Sequence, residues 1–494
     1  MALTSETLAE FREFMSDPNM AAEMAKAAGI TSASGLNYYD LAAPSDKMIP
    51  LQTPLRNHIP RVKGKGGEAH RWRMIKSLDK SVHPGLGEGN RGGTLSVEVF
   101  PMMSAYAHLG LDSFCTWEAR QQSEGYEDVR ALAVDRGVQS LQQMEEYQLL
   151  GGAQSFKLGK GKAITATASA TAGSLGAHEY VISCVPLNLW AFQHTTVGAT
   201  GIVQSFSRAN AGPSSSETIN GGCGIASDEV AITLVADTAI DVIAAATPGA
   251  SGYAWYIGQT GGQASKLVKI TTVSKTTLTA LPAAGNQSLS ALVVADYSVN
   301  DQTSNGCTVL EANGLMAYLS DYQNNGMFWK DAAGASLATD GNNGVDMISE
   351  AFLSFYQNYK VSPSDCWVNA TQAVQIAKIV TAGNNSIVRI NTSGAGEKLV
   401  GGYQIPDILN PLLNTSLKIN VHPDMPAGTV LFSSDTIQSQ IQSLEAGPWC
   451  VREQLPMFGL EFPMTSRKHE MGIFSSWGLE LHAPFAFGGI QNLV

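Results

Sequence analysis

The sequence predicts an α+β chain in which an all-β segment stands between two stretches of alternating helices and strands. Three observations carry that expectation. From about Ala163 to Cys307 the residues are mostly Thr, Ser, Ala, Gly and Val with few ionisable groups, and strand signals recur between turn clusters such as NAGPSSSETINGG and LPAAGNQ. Ahead of this segment, residues 116–149 have the spacing of one long helix. Behind it, from Glu311 on, helical spacing returns in runs such as MISEAFLSFYQNY. A chain of 494 residues with 44% hydrophobic content can bury several cores, which excludes disorder of the whole.

Residues 4–28 read as two short helices broken at Pro18, with Leu8, Phe11 and Met15 on one face and Gly29 as a stop. Pro44, Pro50 and Pro54 then punctuate an extended stretch, so 1–55 is expected to be N-terminal helices and an arm. Residues 56–100 alternate basic and apolar positions, and HRWRMI and TLSVEVF are predicted strands around the glycine-rich tip HPGLGEGNRGG. Arg71 and Arg73 share one face of that ribbon and Trp72 takes the other, because side chains alternate along a strand. A two-stranded ribbon is marginal in water, so this one needs a surface to lie on. Within 101–163 the clearest helix runs from Thr116 to Leu149 and stops at Gly151 and Gly152. Tyr126, Val129, Ala133, Leu141 and Met144 form its apolar stripe, while Glu118, Glu124, Glu127, Asp128, Glu145 and Glu146 are expected on a solvated face.

The all-β region is expected over 164–310. DEVAITLVA, IDVIAAAT, GYAWYIGQ, KLVKITTV, KTTLTAL and SALVVADY supply six short strands, and their core is expected at about 226–297. In GYAWYIGQ, Tyr253, Trp255 and Ile257 point to one side, a pattern that resembles an immunoglobulin-like sandwich strand with a buried Trp. After it, 311–494 holds a helix with Ile348, Phe352, Phe355 and Tyr359 on one face. CWVNATQAVQIAKIV reads as a strand entering a helix capped by Asn369, with Gln372 completing a capping box. LKINVHPDMPAGTVLF reads as strand, tight turn and strand, and Met471, Ile473, Trp477, Leu479 and Leu481 line one side of a long closing strand.

Composition excludes several functions. A net charge of -12 opposes gripping nucleic acid through its phosphates, although not surrounding it. The opening MALTSETLAEFREFMSD has acidic residues where a secretory signal needs basic ones, and no window approaches the roughly 18 apolar residues of a membrane span. Synthesis in a cytoplasm and no membrane partner are therefore expected. The six cysteines (Cys115, Cys184, Cys223, Cys307, Cys366 and Cys450) have no CxxC or metal-like spacing and are expected as buried thiols, Cys184 and Cys223 pairing only under oxidising conditions. GKGK at 159–162 lacks P-loop spacing, GLGEGNRGG lacks the strand and helix of a dinucleotide site, and the nine histidines include no HExxH. His422 is expected to be a turn residue, and Glu145 and Glu146 are adjacent on a helix without facing each other. No catalytic residue, metal or cofactor is expected, and the chain is not read as an enzyme.

The basic stretch Arg56, Arg61, Lys63, Lys65, Arg71, Arg73, Lys76 and Lys80 admits three readings. It is a nucleic-acid ribbon, a ribbon that lies across a neighbouring subunit, or a solvated hairpin.

Taken in order, these elements resemble the major capsid proteins of tailed bacteriophages, the Hong Kong 97-like fold shared with encapsulins. MISEAFLSFYQNYKVSPSDCWVNATQAVQIAKI looks like the family's helix, short strand and helix, VHPDMPAGTVLF like its central strand pair, and RKHEMGIFSSWGLELHAPFAFGGIQNL like its final strand and ending. The basic ribbon matches the extended loop and the long helix the spine helix, over about residues 30–165 and 311–494. The resemblance implies an N-arm and extended loop, peripheral and axial domains, and an outward-facing insertion of the immunoglobulin-like type. It implies a shell of hexamers and pentamers around double-stranded DNA bound without sequence specificity, in a virion assembled in the host cytoplasm, with portal, scaffolding and decoration proteins as partners. No long scaffolding segment precedes the arm, which implies a separate scaffold. The inter-subunit contacts expected are Arg61, Lys63, Arg71, Arg73 and Lys76 against Glu124, Glu127 and Asp128. Some members cross-link a loop lysine, for which Lys63, Lys65, Lys76 and Lys80 are candidates in type. A cell-surface immunoglobulin-like adhesin is the alternative, and the missing secretory signal counts against it.

Overall fold

The computed structural model describes residues 51–494 apart from 79–84, 95–96, 124–127, 210–215, 236–237, 293–294, 341–343, 383–406, 414, 436, 438–446 and 465. The helices and arm expected before residue 51 lie outside the described residues.

The chain opens with a short helix, α1 (Pro54–His58), whose proline suits a first turn that needs no N–H. After β1 (Arg61–Lys63) come the ribbon strands β2 (Ala69–Leu78) and β3 (Val97–Ala105), paired antiparallel with Trp72 opposite Met102. β4 (Ala107–Thr116) leads into α2 (Trp117–Gln122) and α3 (Val129–Gly151). The single helix expected over 116–149 is thus two. Thr116 caps the first by accepting the Ala119 N–H, and Asp128 caps the second by accepting the Arg130 N–H. A hydrophobic stripe continues through such a restart, so spacing alone does not reveal it.

The middle segment contains β5 (Ile164–Ala168), β6 (Glu179–Leu187), helix α4 (Leu189–His194), the hairpin β7 (Ser205–Ala209) with β8 (Ser216–Asn220), β9 (Val230–Thr233), β10 (Ile240–Ala244), β11 (Gly252–Gln259), β12 (Lys266–Thr271) and β13 (Lys275–Leu278). A three-stranded sheet ordered β13-β10-β5 and a four-stranded sheet ordered β12-β11-β6-β9 enclose one core. Tyr253, Trp255 and Ile257 point into it, as alternation requires. Ala254 and Tyr256 on the opposite face of β11 are also buried, against Leu289 and Leu292. The four-stranded sheet is therefore covered on both sides, which is why GYAWYIGQ carries no charge.

Two expectations change here. The core placed at 226–297 takes its central partners from upstream, since β11 pairs along its length with β6, Trp255 opposite Cys184, and β10 pairs with β5. SALVVADY is not a strand in its described part but begins within a 3-10 turn, Leu289–Ala291, and its one leucine, Leu292, is buried beside Leu289. All six cysteines are buried thiols, and Cys184 and Cys223 lie in clusters on opposite faces of the four-stranded sheet. Burial pushes the Cys223 thiol up to about 12, so it stays protonated and inert.

The chain enters and leaves the segment at a neck. The Gly314 N–H donates to the Gly152 carbonyl at 2.8 Å, and the Gln154 and Ser155 N–H groups both donate to Asn313 Oδ1 at 2.9 Å. A Cβ at Gly314 would lie 2.5 Å from the Gln148 carbonyl oxygen, so this crossing requires glycine.

Beyond the neck lie α5 (Leu315–Ser320), α6 (Tyr322–Asn325), β14 (Phe328–Asp331), α7 (Asp346–Tyr359), β15 (Asp365–Val368), α8 (Ala370–Ala382), β16 (Asp407–Asn410), β17 (Thr415–Val421) and β18 (Val430–Ser433). The chain closes with β19 (Trp449–Glu461), β20 (Lys468–Leu481) and β21 (Gly488–Gln491). One sheet, ordered β1-β19-β20-β4, is built around the long antiparallel pair β19 and β20. The other, ordered β14-β21-β18-β15-β17-β16, carries α7 and α8. Ile348, Phe352 and Phe355 of α7 meet Cys366, Val368 and Phe432 on one face of that sheet, while Trp367 and Leu431 on the opposite face join the core of the first sheet. Period-two alternation on β15 therefore welds two cores together, and all four of its residues are buried.

Three details differ from expectation. β17 and β18 do not pair with each other but flank β15, parallel and antiparallel to it. The closing segment is two strands in two sheets, with a turn at Pro484–Ala486 between β20 and β21. Asn369 caps α8 by accepting the Thr371 N–H, but the Gln372 Oε1 finds no partner, so the capping box is half made.

Deleting residues 226–297 removes β11 from beside β6 and is expected to leave insoluble or protease-sensitive protein. Deleting 156–311 and joining the neck with a short Gly/Ser linker is expected to leave soluble protein with cooperative thermal unfolding by circular dichroism. Equal behaviour of the two deletions would refute the independence of the segment.

Candidate assembly surface

The feature that organises the ribbon's approach and the first sheet is a pair of carboxylates. Leu141, Glu145 and Leu149 fall at four-residue spacing on α3, so Glu145 belongs to the buried face and Glu146 beside it is drawn in as well. Both are 1% exposed, which overturns the solvated face expected for them. Glu146 accepts the Leu55 N–H at 2.8 Å, the Arg56 N–H at 2.7 Å and His422 Nε2 at 2.7 Å. The backbone N–H of Asp424 donates to His422 Nδ1, so the neutral ring carries its proton on Nε2 and donates it to Glu146. His422 is thus a fully buried joint rather than an ordinary turn residue. Glu145 accepts Arg56 Nε at 2.8 Å and an Arg61 nitrogen, and Arg61 also pairs with Glu453 on β19. One dipeptide on α3 thereby holds α1, the approach to the ribbon, β19 and the turn after β17.

The root of the ribbon has its own anchor. Trp72 Nε1 donates to the Leu481 carbonyl at 2.8 Å, and His70 Nδ1 lies 2.9 Å from Glu480 Oε1 while its ring stacks on Trp72 with centroids 4.9 Å apart. A Cβ at residue 478 would sit 2.2 Å from His70 Nε2, so Gly478 makes room for the imidazole. Arg452 meets the same Glu480 carboxylate through Nε at 2.7 Å and Nη2 at 3.1 Å. Burial raises the Glu480 carboxyl, but His70 and Arg452 outweigh it and hold the group down to about 2.

The face of the ribbon opposite Trp72 and Met74 is uncovered. Arg71 and Arg73 are exposed there, Met103 is cross-strand from Arg71 and 56% exposed, and Val99 lies further along β3. The sheet of β19 and β20 also leaves Phe114, Leu455 and Leu460 substantially exposed. Large apolar side chains interleaved with arginine suit a surface that other protein covers.

The other residues expected at subunit contacts divide unevenly. Arg61 is engaged inside its own chain, by Glu145 and Glu453, and Asp128 serves as a helix cap. Lys63 is exposed on β1. Lys76 lies in β2 but its side chain is outside the described residues, as are Glu124, Glu127 and Lys80. The Arg61 and Glu145 pairing escaped sequence reasoning because 84 positions separate the partners.

No family model and no curated protein matches the chain. Among solved structures it is similar to the capsid of Myoviridae phage XM1, with 9% identity over 94% of this chain and 100% of that one, and a TM-score of 0.41. It is also similar to the SrpI encapsulin of Synechococcus elongatus, with 7% identity over 94% and 96% and a TM-score of 0.41. The capsid of cyanophage P-SCSP1u gives 7% identity over 94% and 95%, and a TM-score of 0.38.

Glu146→Ala orphans two backbone N–H groups and a buried histidine, and is expected to destabilise the protein by about 3–5 kcal/mol in urea unfolding. Glu118→Ala, which removes a half-exposed pairing with Arg467, is expected to cost about 0–1 kcal/mol. Similar costs for the two would show that Glu146 is not a staple.

His58 lies 2.9 Å from Asp435, and that hydrogen bond raises its pKa above the ordinary imidazole value despite partial burial. For Asp435, burial raises the pKa, but the hydrogen bond and charge of His58 lower it further. The histidine's contribution is fully present below its unfolded pKa and is lost as pH rises through the raised folded value; the aspartate's is lost as pH falls through its lowered one. Thermal midpoints are therefore expected to fall from neutral to mildly alkaline pH, with a shallower fall in His58→Gln. An unchanged slope in that variant would assign the dependence elsewhere.

Proposed function

We propose that the chain is the subunit of a closed protein shell, the major capsid protein of a tailed phage with a Hong Kong 97-like fold, and that its work is assembly rather than catalysis. The observation that carries this reading is the uncovered ribbon. Paired strands β2 and β3 are rooted at Glu480 and Leu481 but leave Arg71, Arg73, Val99 and Met103 without cover. A two-stranded ribbon is marginal alone, so a neighbouring copy is its natural support. The element order supports the same reading, with ribbon, spine helix, a mixed sheet carrying two helices and then the long antiparallel pair following in the sequence expected of such a subunit.

In this reading Arg71, Arg73, Lys63 and Lys76 face an acidic surface of the adjacent subunit, and the wall sheet meets its neighbours through Phe114, Leu455 and Leu460. The sandwich segment hangs from its neck as an outward module. Low charge, 15% of residues, suits repeated interfaces of mixed character, and a net charge of -12 suits a shell that encloses double-stranded DNA without gripping it.

Electron microscopy of the expressed full-length protein is expected to find uniform closed particles, and monodisperse monomers under all assembly conditions would reject the reading. Arg71→Glu with Arg73→Glu is expected to abolish particles in sedimentation while leaving circular dichroism unchanged. Each contact contributes only about 1 kcal/mol, but reversal makes it repulsive at every copy around a capsomer. Normal empty particles from the double variant would remove these arginines from the interface.

A further inference from the structure

We propose that Cys450, Glu480 and His482 form a binding site for a zinc ion at the root of the β19 and β20 pair. Strand register brings the donors together. Cys450 is directly opposite Glu480 in the antiparallel ladder, and His482 follows Glu480 by two residues, so alternation places all three on one side. Cys450 Sγ is 3.6 Å from Glu480 Oε2 and 3.6 Å from His482 Nε2, and His482 Nε2 is 3.5 Å from Glu480 Oε2. A tetrahedral zinc with Zn–S of about 2.3 Å and Zn–N and Zn–O of about 2.0–2.2 Å requires donor separations of roughly 3.3–3.7 Å. The triangle already has that size without any movement of the backbone.

The donor chemistry selects the ion. A thiolate with an imidazole and a carboxylate is too soft a set for magnesium or calcium, which take oxygen ligands, and its tetrahedral spacing suits zinc. Cys450 and Glu480 are buried, while His482 keeps 15% of its side chain exposed, so three protein ligands leave a fourth position open toward water. Binding releases the Cys450 thiol proton to solvent, and the thiolate with the Glu480 carboxylate balances the dication. His70 and Arg452 Nε hold the other carboxylate oxygen, Oε1, while Arg452 Nη2 reaches Oε2 itself at 3.1 Å, so the carboxylate is held in a fixed orientation, as the supporting groups of a metal ligand do.

The group His58, Asp365 and Asp435 also brings three donors close, but its geometry differs. His58 Nε2 and Asp435 Oδ1 are 2.9 Å apart, the distance of a hydrogen bond and shorter than the separation of two ligands on one zinc. That group is a closed ion pair. The zinc site goes beyond the shell reading and does not rest on it.

The untagged full-length protein, equilibrated with zinc and dialysed, is expected to retain one zinc per chain by elemental analysis. Cobalt(II) in its place is expected to give a thiolate-to-metal charge-transfer band together with the intense visible bands of four-coordination. Cys450→Ser is expected to lose the charge-transfer band, and His482→Gln to weaken zinc binding at least about tenfold, with far-ultraviolet circular dichroism unchanged. Undiminished zinc in Cys450→Ser, cobalt bound without the thiolate band, or no retained metal in the native chain would each overturn the site. Should Cys450→Ser fail to fold, the cobalt spectrum of the native protein decides by itself.

Discussion

Burying two adjacent carboxylates on one helix is the constraint on which the rest of the described fold depends. An ionised carboxylate taken out of water costs several kcal/mol unless hydrogen bonds and opposite charge replace its solvent. Glu145 and Glu146 satisfy that demand by drawing in groups from four residues far away in the sequence: the backbone of Leu55 and Arg56, the side chains of Arg56 and Arg61, and His422. None of these groups can shift without leaving a buried charge unmet. The helix is therefore positioned by electrostatic necessity as much as by its leucines, and the approach to the ribbon is set by the same contacts.

Glu480 plays a parallel part on the other sheet. Its carboxylate holds His70 at the ribbon root and Arg452 on β19, on the side where Cys450 and His482 also converge. Both ends of the ribbon's attachment thus rely on carboxylates in low-exposure surroundings, where hydrogen bonds to charge are stronger than at a surface. A rigid root with an uncovered outer face is a suitable arrangement for an element that has to reach away from its own core and retain direction.

Cohesion elsewhere comes from sheets buried on both sides. β11 lies between two clusters and β15 joins two cores, so neither strand shows the half-polar alternation of a surface sheet. The sandwich and the six-stranded sheet meet through few polar contacts, among them Gln491 and Asn492 reaching Ala250 and Ser274. Leu189 of α4 also enters the core of the first sheet and Val299 packs with Ala153 and Ala317, so apolar contacts join the sandwich segment to the rest as well as the neck.

Much was legible in the sequence by itself. Alternation in HRWRMI placed Arg71 and Arg73 opposite Trp72, the apolar spacing of 346–359 placed Ile348, Phe352 and Phe355 in a core, and the charge-poor composition of 164–310 marked a stretch rich in strands. Such features depend on neighbours one to four residues away, and local periodicity reports them faithfully. Only the tertiary structure decided that Glu145 and Glu146 are buried, that His422 is their partner, that β6 rather than a later strand completes the sandwich, and that β15 separates β17 from β18. Those outcomes turn on groups tens to hundreds of positions apart, whose pairing is selected by the free-energy cost of leaving a charge or a strand edge unsatisfied, and that cost exists only once the chain has closed around it.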